Sequence, residues 1–295
     1  MAYWSELQHY NVPKWLRDAK FGIYTHWGVY SVPACGPNAS WYPYNMYRKG
    51  TSQYDYHVKH YGLPEQFGYK DFIPLFTGEK FDANEWAALF KAAGARIAGP
   101  VGEHHDGFTM WDTRYSKWNA KNMGPKRDVV GELEKAIKGQ GMKFMTAMHH
   151  AENWWFYPHW KTEYDVSDPL YAGLYGNSHN MEWIGMGDEL DANPEYQNQH
   201  GFWPVQQKPS KEFLDVWLNK LKELEDKYEP DLVWFDFGLK WVKEEYKKEF
   251  ISYFYEKAKK QNREVAITYK WNDLVPGCGV EDIEQGRKSE SILYF

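Results

Sequence analysis

Short apolar runs along this chain repeatedly end in a histidine or an acid. FGIYTH ends at His26, RIAGPVGEHHD at His104, His105 and Asp106, KFMTAMHH at His149 and His150, and LVWFD at Asp236; GVEDIEQ carries Glu284 in the same way. The runs predict six strands, over residues 20–25, 96–101, 142–148, 231–236, 264–269 and 279–284. Helical segments alternate with them, at residues 84–93, 129–138, 211–228 and 243–260. Asp128 can cap the second helix, and Phe213, Val216, Trp217, Leu218, Leu221 and Leu224 give the third a packed face. Such alternation predicts an α/β fold with a parallel sheet. If the strands close into a barrel, their C-terminal ends converge on one mouth, where barrel enzymes keep their chemistry.

Six strands fall short of the usual eight of a (β/α) barrel. The expected fold is therefore an irregular (β/α) TIM-like barrel, incomplete, with closing strands missing. Length sets one domain over residues 1–295 as the default. Residues 154–210 lack a helical period and are rich in Tyr, Trp, Asn, Gly and Pro, which predicts an ordered cover near the mouth.

Composition sharpens this picture in two ways. Aromatic residues make up 19% of the chain, with 16 Trp, 23 Tyr and 16 Phe. Most are expected in the core, but loop clusters at Trp41-Tyr42, Trp154-Trp155-Phe156-Tyr157 and Trp203 suit stacking on sugar rings at a mouth. A net charge of −6, without a basic tract, excludes nucleic acid and an anionic membrane as expected partners. Cys35 and Cys278 read as two buried thiols rather than as a pair or a catalytic group. No run approaches a membrane span and no secretory leader is visible, so the chain as written is expected to be cytoplasmic, or periplasmic, secreted or lysosomal had a leader been removed.

Side chains alternate across a strand, so Leu232, Trp234 and Asp236 share one face, while Val233, Phe235 and Phe237 face the outer helices. Asp236 thus points inward at a strand end, where an unused carboxylate is costly. Glu284 lies one or two βα units further on, and two carboxyls facing one cavity are what glycoside hydrolysis needs. Asp282, Glu281 and Glu264 compete for the second role. His104-His105-Asp106 invites a metal reading, but adjacent rings tend to diverge where His-x-His would converge, so no metal or other cofactor is expected.

At these residues the chain resembles the α-L-fucosidases of glycoside hydrolase family 29. The matching segments are KFGIYTHWGVYSVPA, WYPYNMY, EHHDGFTMWDT, GPKRDVVGEL, PDLVWFD and EDIEQGR, in family order. The resemblance implies a retaining exo-α-L-fucosidase that acts on fucosylated oligosaccharides or glycoconjugates through a covalent fucosyl-enzyme. It implies Asp236 as nucleophile and Glu284 as acid/base. It also implies His26, Trp41, His104, His105, His150 and Trp234 as sugar contacts, with His149 nearly as good a candidate as His150. A retaining pair of carboxyls sits ~5–5.5 Å apart.

Three departures qualify it. Ser40 stands where many members have Glu, and Glu103 where many have Lys. The family continues through the closing strands and usually a β-sandwich domain, which this chain is expected to lack. An unclosed barrel exposes strand edges and favours pairing with a second copy or a complementing chain. The alternative reading is a catalytically weak or inactive fucose-binding fragment, or one half of a split enzyme.

Overall fold

Six parallel strands stand in sequence order: β1 (Gly22–Thr25), β2 (Ile97–Glu103), β3 (Lys143–Met148), β4 (Leu232–Phe235), β5 (Ala266–Lys270) and β6 (Val280–Asp282). The computed structural model describes residues 3–8, 10–36, 38–179 and 208–283. Glu284 and Trp203 lie outside the described residues. The sheet is curled: Tyr24 of β1 and Trp234 of β4 are three strands apart, yet their ring centroids are only 5.3 Å apart. This is the expected open TIM-like barrel, with β1 and β6 at its edges among the described residues.

Four helices cross over the outside: α1 (Ala83–Ala92), α2 (Val129–Gly139), α3 (Lys211–Tyr228) and α4 (Glu244–Lys260). The first three start at side chains that accept otherwise unpaired backbone N–H groups: Asp82 from Asn84 and Glu85, Asp128 from Gly131, and Ser210 from Phe213. The packed face of α3 differs slightly from expectation. Leu214 is fully buried, Val216 only half, and the polar Lys220, Glu223 and Glu225 are buried beside them.

Two apolar layers hold the sheet. Outside, Phe235 packs against Trp217 and Phe250 of α3 and α4. Inside, at the N-terminal ends of the strands, Ile97, Met145, Leu232 and Ala266 form a floor packed against Trp15, Leu16 and Ala19. Those three come from the short helix Lys14–Ala19, which stops the barrel from below.

The loop aromatics are a correction. Trp154, Trp155, Phe156 and Tyr157 are all at most 2% exposed. They are core for the cover rather than an open sugar platform, because the segment folds over itself and onto the barrel: Trp154 stacks on His179 and Tyr157 meets Tyr175, while Tyr157 donates to the Asp106 carbonyl and Trp155 packs on Trp241. Phe156 also touches His104 and His105 at the mouth. Cys35 and Cys278 are both free, Cys278 fully buried. Among the described residues no helix is long and apolar enough to cross a membrane.

Candidate active site

Strand alternation places the chemistry. Ala147 pairs in register with Trp234, so His149 continues the inward face of β3 as Asp236 continues that of β4. Asp236 Oδ2 then lies 3.5 Å from His149 Nδ1 and 3.3 Å from His105 Nε2. The His149 N–H donates to the Glu103 carbonyl and His105 Nδ1 lies 3.1 Å from the His149 carbonyl, which ties the ends of β2 and β3 together.

Four imidazoles crowd this mouth. His26 lies 5.5 Å from His104 and 5.4 Å from His149 between ring centroids, and His104 lies 5.0 Å from His149. The adjacent His104 and His105 were expected to diverge. Instead their rings meet at 4.4 Å, because the strand ends at Glu103 and the chain turns through Gly107. A Cβ at Gly107 would sit 1.9 Å from the Leu174 carbonyl, so the turn needs glycine for space as well as for its positive φ.

Trp234 forms a wall at 5.4 Å from His149, and half-buried Trp41 another at 5.3 Å from His105. Phe237, expected among the outer helices, stacks on Trp41 at 6.0 Å and lies 5.2 Å from His105. Alternation stops with β4 at Phe235, and the left-handed turn at Gly238 (φ 106°) brings Phe237 round to the mouth.

His150 is the other correction. It points away from Asp236, stacked on Phe213 with its Nδ1 2.6 Å from Glu103, while Lys220 of α3 reaches the same carboxylate at 2.7 Å. Its parity is that of Thr146 and Met148, the outward face, and the alternation that identified Asp236 would have selected His149 over it. Lys270 was missed for want of the same argument at β5. Its ammonium sits 4.7 Å from the Trp234 ring and pairs with Asp282, so that competitor for the acid role is engaged. Glu264 is excluded by position, preceding β5 at the opposite end of the barrel.

Charge states follow from burial and neighbours. Burial pushes the Asp236 carboxyl up, but His149, His105 and the Phe237 backbone N–H outweigh it and hold it well below the usual carboxylate range. Desolvation holds His104 and His149 well below the usual imidazole range. It also pushes His26 down to about 4, although that residue is exposed and Asp236 pulls the other way. The result is one ionised carboxylate beside neutral His26, His104 and His149. Two groups, His26–His104–His149 and His105–His149–Asp236, have ligand atoms within 4.8 Å of one another.

The two neighbouring histidines should separate in a variant test. On the fucoside substrate that the resemblance implies, His149→Ala is expected to lower kcat/KM by about tenfold to a hundredfold, on the order of 1–3 kcal/mol, with little change in the unfolding midpoint. His150→Ala should show the converse, a lower midpoint at near-normal kcat/KM. Steady-state kinetics alongside urea unfolding distinguish the two.

Comparison with known proteins meets this geometry. Rat tissue alpha-L-fucosidase is 34% identical over 250 residues, covering 77% of this chain and 53% of the relative. The human tissue enzyme is 35% identical over 226 residues, covering 72% and 47%. The chain thus spans about half the length of the curated relatives it matches. The crystal structure of Thermotoga maritima alpha-fucosidase in complex with fucose superposes with a TM-score of 0.67 at 33% identity, covering 91% of this chain and 56% of that one. The Alpha-L-fucosidase family model matches residues 1–291. Fold and sequence agree: the chain belongs to the α-L-fucosidase family of glycoside hydrolases.

Proposed function

We propose that this site removes terminal α-L-fucose from fucosylated glycans with retention of configuration, through a covalent fucosyl-enzyme. The observation that carries the reading is Asp236, ionised and aimed into an aromatic-walled mouth between His105 and His149. Asp236 attacks the anomeric carbon while Glu284, protonated, donates to the departing glycosidic oxygen. Water then attacks the intermediate as Glu284 takes back a proton, and fucose leaves.

The histidines suit a sugar. A neutral imidazole donates at one nitrogen and accepts at the other, matching a hydroxyl that does both. His104 Nδ1, His105 Nε2 and both nitrogens of His149 are buried without a hydrogen-bond partner, so their capacity is unspent. With His26 they make the proposed hydroxyl contacts, and His149 takes the part first given to His150. Trp41, Trp234 and Phe237 offer the apolar wall that the fucose methyl requires.

Relatives support this reading. The Thermotoga maritima enzyme has been crystallised with fucose and with a mechanism-based inhibitor. The test is release of 4-nitrophenol from an aryl α-L-fucoside, with the first-formed sugar anomer read by NMR. Saturable turnover giving α-L-fucose first is the expected result. Fucose binding without turnover would favour a binding role, and neither would remove the reading.

A further inference from the structure

Between Asp236 and His105 the hydrogens do not add up. His105 Nδ1 lies 3.1 Å from the His149 carbonyl, which can only accept, so Nδ1 carries the ring hydrogen. In a neutral ring Nε2 is then a bare lone pair, and it faces an ionised carboxylate oxygen at 3.3 Å. Two acceptors at that distance repel. The contact needs a cation, either a proton on Nε2 or a metal ion between the two atoms.

Spacing admits a metal as an occupant: the three ligand atoms lie within 4.8 Å of one another. Tetrahedral zinc, with bonds of about 2.0–2.1 Å, holds its ligand atoms about 3.3–3.4 Å apart. Asp236 Oδ2 stands 3.3 Å from His105 Nε2 and 3.5 Å from His149 Nδ1. Both imidazoles are fully buried, and both nitrogens lack a hydrogen-bond partner. The Nδ1 contact of His105 to a carbonyl is the outer hydrogen bond that orients metal-binding imidazoles.

We propose that His105 Nε2, His149 Nδ1 and Asp236 Oδ2 form a site for one zinc-class divalent cation, with a fourth position open to the mouth. A bound ion occupies the carboxylate lone pair that would attack the sugar, so metal and substrate exclude one another. That exclusion rests on Asp236 being the nucleophile; the metal site itself does not.

The experiment is calorimetric titration of zinc chloride into the EDTA-treated full chain at neutral pH. One saturable site is expected, at least tenfold weaker in Asp236→Asn and in His149→Ala, with His149→Gln as the substitute should the alanine variant not fold. The exposed His60, outside the cluster, gives the control His60→Ala, whose affinity should be unchanged. Zinc should also raise the apparent KM for an aryl α-L-fucoside at constant kcat, with EDTA reversing the effect. No saturable heat up to millimolar zinc, or unchanged affinity in the Asp236 and His149 variants, overturns the proposal. Because binding is read as heat, a chain without turnover counts against the catalytic reading and leaves the metal result standing.

Discussion

Asp236→Gly should lower turnover of an aryl α-L-fucoside by at least about 10³-fold, a barrier increase of about 4 kcal/mol. Azide should restore a measurable part of it. Neighbouring acids cannot replace the lost nucleophile. Asp106 is buried behind the mouth and held by the Tyr69 hydroxyl, and Glu103 is locked between His150 and Lys220. The substitution costs little packing, since Asp236 lies past the end of β4 with its side chain partly open to the mouth. It leaves a carboxylate-sized space beside His105 and His149 that a small anion can enter. Azide attacking from that side displaces the leaving group once, so an α-fucoside should give the β-fucosyl azide. Product configuration, read by NMR, therefore tests the role of Asp236 as well as its importance. Unchanged activity in Asp236→Gly would remove the nucleophile assignment.

Much of this arrangement was legible because strands and amphipathic helices have periods that sequence records. The four described strand ends with chemistry, at His26, His104, His149 and Asp236, fall where the apolar runs stop. Asp128 caps α2 as its position before Val129 implied. What was not legible begins where periodicity ends. Phe237 lies two residues past β4, so its direction is set by the Gly238 turn rather than by alternation. His150 was preferred to His149 on resemblance, although parity within β3 favours His149. The aromatics from Trp154 to Tyr157 looked like a mouth because a loop offers little core; this one makes its own. Lys220 is one of three polar residues buried along α3, and its partner lies far away in sequence, on β2.

That partnership gives the largest expected effect on stability. Glu103 is 0% and Lys220 1% exposed, and burial alone would push the Glu103 carboxyl up. His150 and Lys220 outweigh it and hold Glu103 below the usual carboxylate range. Removing Glu103 leaves Lys220 buried without compensation, and removing Lys220 leaves Glu103 with the His150 ring alone; breaking a buried pair typically costs about 3–5 kcal/mol. Lys220→Met and Glu103→Ala should each lower the unfolding free energy by about that much, measured as an earlier urea midpoint. The Glu103→Leu/Lys220→Met double variant should recover most of the loss, because the desolvation penalty of both charges disappears together and neutral His150 keeps its stack on Phe213. Acid supplies a second check. A carboxyl held below its unfolded value contributes stability above about pH 4.3 and loses it as pH falls through the folded value. The gap between wild type and Glu103→Gln should therefore narrow below that pH, and a double variant no more stable than either single one would show that the pair is not the link between β2 and α3.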